Sequence, residues 1–190
     1  MSCREIGILA FDPSISLTGW AATAESQLLG AGLIRTSSGE ADDRARSIYE
    51  DVRKTCAMFP KAEAVIVEMP AAAGFGGGLK NRSPIYLPMY GVAVGVVFAA
   101  ALSAVRCPVI GVSPNKWTKQ MSAPSSKGDV HKEKRVRLVE QLYRLSPGAL
   151  GARTTAGNVA DAVLLSRWGR WEMQSRGAHR ALGARSTDGQ

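Results

Sequence analysis

Three acids in this 190-residue chain sit where backbone structure would aim them. Asp12 ends the apolar run ILAF and is followed at once by Pro13, Glu68 ends a second run, AVIV, and Asp161 lies within AGNVADAVLL. If the two runs are parallel neighbouring strands, Asp12 and Glu68 emerge at one sheet edge, and a helix carrying Asp161 can cross them. Carboxylates crowded in this way repel unless they are protonated or neutralised. A hard divalent cation is the economical neutraliser: Mg2+, with Mn2+ as an alternative, takes oxygen ligands and accepts phosphate oxygens. Two such ions about 3.5 to 4 Å apart can activate a water on one side of a phosphodiester and stabilise the leaving oxygen on the other.

Each acid also has a purely structural use. Asp12 before Pro13 is a good turn former. Glu68 can be a polar strand terminus facing water. Asn158 with Asp161 three residues later has the pattern of a helix N-cap with an acid at N3.

The elements that must position these residues follow from periodicity. Residues 5–11, 17–24 and 28–36 read as an antiparallel meander of three short strands. Residues 40–58 read as an amphipathic helix with Ala45, Ile48, Val52 and Cys56 on its apolar stripe, ending before Pro60. The run 64–67 is a strand leading into Glu68. The uncharged stretch PIYLPMYGVAVGVVFAAALSAV, 84–105, is long enough to cross a bilayer, but its two prolines, its Ala and Gly content and the strand at 109–112 favour a buried helix. A helix over 131–145 and a last one over 157–173 complete a mixed α/β layer architecture with helices on a central sheet. Residues 1–172 are expected to form one domain and 173–190 a basic, disordered tail.

Composition narrows the partners. A net charge of +8 favours a polyanion such as nucleic acid. Cys3, Cys56 and Cys107 lack the paired spacing of a zinc site, His131 and His179 are far apart, and no secretory leader is visible, so a reducing cytoplasmic setting is expected. Between residues 116 and 144 stand eight Lys or Arg against three acids. This is a natural phosphate-binding tract, or else a solvated, salt-bridged helix face. The loop AAAGFGGGLKNRS lacks the Gly-Lys-Ser/Thr of a P-loop.

The stretches ILAFDPSISLTGWA, AVIVEMP, SPIYLPMYGVAVGVV, VSPNKWTKQM, HKEKRVRLVEQL and NVADAVLL, in that order, resemble the RuvC-type Holliday junction resolvases of the RNase H-like superfamily. The resemblance runs from residue 6 to residue 168, and its most specific part is Asp12-Pro13 followed by Thr18-Gly19-Trp20. It implies a single RNase H-like domain, with three antiparallel and two parallel strands in a central sheet flanked by helices. It makes Asp12, Glu68 and Asp161 metal ligands and puts Asn158 in the place of a fourth, where the family usually has Asp or His. An amide there carries no charge, so the site holds one negative charge fewer. Lys119 and Lys134 resemble the family's lysines near the scissile phosphate, with Lys132 as the rival of Lys134. Lys116, Lys127, Lys132 and Arg135 fall in the expected DNA-binding tract, and Lys80 and Arg82 in the glycine loop, where Phe75 would wedge into the junction.

The function this implies is resolution of four-way or other branched DNA by a homodimer using two Mg2+ ions per site. No membrane and no small-molecule cofactor would be involved, and the protein would be nucleoid-associated in a bacterium or virus-encoded. Two alternatives carry different expectations. A non-catalytic junction-binding protein would bind through the basic tract alone. An actin-like ATPase would want a glycine-rich phosphate hairpin after Asp12, and DPSISLTGW is a poor one.

Overall fold

The strands β1 (Ile8–Asp12), β2 (Leu17–Ala24), β3 (Gln27–Arg35), β4 (Ala64–Glu68) and β5 (Val109–Val112) form one mixed sheet in the order β3-β2-β1-β4-β5. Its helices are α1 (Ala41–Met58), α2 (Tyr86–Ala104), α3 (Pro114–Gln120), α4 (Asp129–Tyr143) and α5 (Arg153–Thr187). The structure is a computed structural model and describes residues 7–25, 27–36, 39–69, 86–121 and 129–187. Phe75, Lys80, Arg82 and Lys127 lie outside the described residues.

The meander expected from the first three strands is present: β1 pairs antiparallel with β2, and β2 with β3. β4 lies parallel to β1, and β5 parallel to β4. Their registers set the site. Phe11 stands opposite Val67, so the next residues, Asp12 and Glu68, leave the sheet side by side at its C-terminal edge.

Alternation along the strands decides which way the acids face. Ile8, Ala10, Ala64 and Ile66 belong to the core beneath α5, together with Val159, Ala160, Val163, Leu164 and Trp168. Leu9, Phe11, Val65 and Val67 belong to the opposite core, against Ile48, Val52 and Cys56 of α1 and Val97, Ala100 and Ala101 of α2. Asp12 and Glu68 continue the first series and therefore point toward the α5 layer.

The uncharged segment is α2, a sheet-covering helix as expected, and among the described residues no helix is long and apolar enough to cross a membrane. Two element readings need correction. α3 falls in the basic stretch, where only a later helix was expected; it opens with Pro114 in the first helical turn, a position where the missing N–H costs nothing. The last helix begins four residues earlier than expected and runs to Thr187, so its backbone continues through most of the expected tail. The strong helix formers Met173, Gln174, Arg176, Ala178, Ala181 and Leu182 and the absence of proline carry it on.

Candidate active site

The turn after Asp12 is closed by a reciprocal pair: the Ser14 N–H donates to Thr18 Oγ1 at 3.1 Å, and the Thr18 hydroxyl donates back to the Ser14 carbonyl at 2.8 Å. Gly19 then pairs with Asp12 across the β1–β2 ladder. A Cβ on Gly19 would collide with the backbone carbonyl of Asn158. The glycine thus lets α5 press onto the sheet at the level of Asp12, which brings Asp161 to the two strand-ending acids.

The three carboxylates sense one another. Burial, followed by the charges of Glu68 and Asp161, raises the Asp12 carboxyl well above its ordinary range. Burial pushes Glu68 up to about 7, with Asp161 adding to the shift and the Trp117 hydrogen bond opposing it. Burial also lifts Asp161 to about 6, against the pull of Arg135 and then Lys132. Protonation or neutralisation of the cluster is thus favoured, as repulsion in a poorly solvated pocket demands.

Three side chains, Trp117, Arg135 and Lys132, answer that demand. The Trp117 indole donates from Nε1 to Glu68 Oε2 at 2.7 Å, and Trp117 is among the largest fully buried side chains. Arg135 is buried and brings Nη1 to 2.7 Å from Asp161 Oδ1. The approach is a charge contact without hydrogen-bond alignment, because Asp161 Oδ1 and Arg135 Nε are both buried and lack an aligned partner. Lys132 donates from Nζ to Asn158 Oδ1 at 3.3 Å and also acts electrostatically on Asp12 and Asp161. Asn158 in turn donates from Nδ2 to the Leu17 carbonyl at 3.3 Å.

These placements sort the expected residues. Asn158 is not a helix cap, since α5 starts five residues before it. Lys132 faces the acids. Lys134 is exposed on α4 and, among the described residues, makes no contact with them. Helix geometry explains this: positions 132 and 135 share a face three residues apart, and 134 turns away. Arg135, expected on the DNA-facing surface, is instead 2% exposed and committed to Asp161. Lys116 is ion-paired with Glu172 at 3.1 Å and lies over the Trp168 ring, so it braces α3 against α5. Lys119 is exposed on α3, two residues from Trp117 and off its inward face.

Trp117 is the residue that sequence reasoning missed. It stood within VSPNKWTKQM, but its role depends on a helix hidden in a charged stretch. An open cleft of about 670 Å3 between α4 and α5, which Lys132 borders, is lined also by Glu133, Arg137, Glu140, Arg153 and Gly157. Arg153 there is ion-paired with Glu133.

The donor set is all oxygen, and it includes a buried carboxylate oxygen without an aligned hydrogen bond, which fits a hard divalent cation in kind. As they stand, no three His, Cys, Asp or Glu side chains among the described residues are grouped closely enough to clasp an ion. Arg135 engages one of the two Asp161 carboxylate oxygens, Oδ1.

A mixed sheet with three antiparallel and two parallel strands, helices on both faces and strand-ending acids at one edge defines the RNase H-like class of fold. Within it, the chain has the fold of the RuvC-type resolvases. It is similar to Thermus thermophilus RuvC in complex with Holliday junction substrate, at 22% identity over 85% of this chain and 90% of that one, with a TM-score of 0.63. A second Thermus thermophilus RuvC structure matches at 20% identity, with the same coverage and a TM-score of 0.60. The yeast mitochondrial Holliday junction resolvase Ydc2 matches at 14% identity over 90% of this chain and 80% of that one, with a TM-score of 0.55. No family model and no curated protein matches the sequence.

Proposed function

We propose that this protein is a structure-selective endonuclease that resolves four-way DNA junctions by divalent-metal-dependent hydrolysis, as a homodimer. The observation that carries the reading is the convergence of Asp12, Glu68 and Asp161, from two parallel strands and one helix, on a sheet edge bordered by Lys132. The similar structures, Holliday junction resolvases of which one is in complex with a Holliday junction substrate, support the choice of DNA.

In this reading the three carboxylates hold Mg2+ or Mn2+ through their oxygens, and Asn158 offers a neutral amide oxygen beside them. Bound there as a pair, the ions would activate water and neutralise charge on the transferring phosphate. Trp117 holds the Glu68 carboxylate in place through its indole N–H. Lys132, the cation nearest Asn158, can release that amide to grip a phosphate oxygen as charge develops on it. The cleft between α4 and α5 continues from Lys132 past Arg137 and Arg153, and can guide the DNA backbone without reading sequence. Lys119, Lys134, Lys116 and, beyond the described residues, Lys80, Arg82 and Lys127 would contribute further phosphate contacts, with Phe75 as the wedge at the junction centre.

Paired nicks in symmetric strands need two active sites related by a two-fold axis. The outer face of α2 offers an apolar surface for a second copy: Val92 and Leu102 are 40% and 56% exposed, and the exposed small residues Gly91, Gly95 and Ala99 beside them permit close approach.

One observation favours a second reading, junction binding without cutting: the chain's own cations, Arg135 and Lys132, already engage Asp161 and Asn158. A synthetic four-way junction incubated with the protein and Mg2+ or Mn2+, with linear duplex as control, separates the two. Symmetric paired nicks in the junction alone are expected. A junction complex that never cuts would replace the first reading with the second, and equal cutting of duplex would remove structure selectivity.

A further inference from the structure

A buried arginine inside a cluster of acids is a costly choice unless the charge is used, because guanidinium does not give up its proton. Arg135 is among the largest fully buried side chains, and its partner Asp161 is the helix-borne member of the acidic trio. The pair is close at 2.7 Å but poorly aligned. It neutralises without locking, and it occupies one of the oxygens that a cation would need.

We propose that Arg135 is a resident counter-ion that competes with a divalent cation for Asp161, holding the acidic cluster together when no metal is bound and yielding Asp161 when one enters. This inference rests on the metal-dependent reading above. Lys132 sits one turn earlier on the same face of α4 and reaches Asn158, so α4 presents two cations to α5. Arg135 is therefore a positioning residue that acts through Asp161, whereas Lys132 faces the open cleft.

Two features of the pair give the competition a direction. Without metal, removing the guanidinium would leave the buried Asp161 carboxyl without its counter-charge beside Glu68 and Asp12, a state costly to the fold. With metal, the same removal would take a positive charge away from the cation's neighbourhood and free an oxygen for it. Removing the arginine thus has opposite consequences for the two states, which a purely structural arginine would not.

The test compares wild type, Arg135→Gln and Arg135→Lys in full-length protein, using Mn2+ alone as the probe. Mn2+ affinity is measured calorimetrically, and the melting temperature is measured in chelator and in saturating Mn2+. Arg135→Gln is expected to bind Mn2+ about tenfold tighter than wild type, as expected from loss of one nearby positive charge. It should melt lower in chelator and recover most of the loss in Mn2+, whereas Arg135→Lys, retaining a cation, should stay near wild type in affinity. Equal Mn2+ affinity in all three proteins, or an equal melting loss with and without Mn2+, would overturn the competition while leaving metal binding intact. Absence of Mn2+ binding in every protein would overturn the metal reading itself and the competition with it. Should Arg135→Gln fail to fold, Arg135→Gln/Asp161→Asn removes both charges, and its failure to restore folding would likewise overturn the role of Arg135 as counter-ion.

Discussion

Gly19 and Asn158 meet backbone to backbone: the position of a Cβ on Gly19 is already occupied by the Asn158 carbonyl. This contact, on the strand residue paired with Asp12, sets how closely the helix bearing Asp161 approaches the two strand-ending acids. Gly19→Ala would push α5 away from the sheet edge. It is expected to cost about 2 kcal/mol, as overpacking of a close contact does, lowering Tm by roughly 4–8 °C in a chain of this size. Junction cutting should fall by more than the lost fold explains, measured at a temperature where the variant remains folded.

Raised carboxylate pKa values carry a sign for stability. Glu68 is moved from 4.5 to about 7 and Asp161 from 3.8 to about 6, so the folded state holds protons that the unfolded chain releases. The stability these groups contribute is complete below their unfolded values and is lost as pH rises through the folded ones. In chelator, therefore, Tm should fall between about pH 4 and pH 7 from these groups, and Asp161→Asn should flatten the profile. A Tm that rises with pH across that window in wild type and variant alike would contradict the shifts.

Trp117 donates to Glu68 and thereby opposes the upward shift of its carboxyl. Trp117→Phe keeps most of the buried ring and removes the donor. The Glu68 pKa should climb further above about 7, and the acid limb of the pH–rate profile for cutting should move to higher pH. An unmoved limb would mean that Glu68 does not govern it.

Lys132 and Lys134 separate cleanly by helix face. Lys132→Ala is expected to lower the single-turnover cutting rate about 100-fold, the scale for losing a group aimed at developing charge. Lys134→Ala should change it by no more than about threefold and act on salt-dependent binding instead. Reversal of that ranking would move the phosphate-gripping role to Lys134.

What was legible beforehand, and what was not, follows from the range of the forces involved. The runs ending in Asp12 and Glu68 were readable because strand burial is written as local alternation and apolar runs, and the parallel pairing of β1 with β4 sets the two acids side by side. The helix bearing Asp161 was readable from its apolar spacing. Arg135 was not, because a charge in a basic stretch reads as solvent-facing, and only the packing of α4 on α5 makes it an internal partner. Trp117 was hidden for a similar reason: its seven-residue helix lies among lysines, and its hydrogen-bond partner is 49 residues away in sequence. The choice between Lys132 and Lys134 needed the rotation of α4, which the sequence leaves open by one or two residues.

The claim that Asp12, Glu68 and Asp161 act as one centre is tested most directly by single-turnover cutting of a four-way junction in Mn2+ by wild type, Asp12→Asn, Glu68→Gln, Asp161→Asn and the triple variant. Because groups that act as a unit are not additive, each single variant should fall to nearly the same floor as the triple, at least about 100-fold below wild type, with junction binding retained. A single variant that cuts at the wild-type rate would show that its carboxylate stands outside the chemistry and that the three do not form one site.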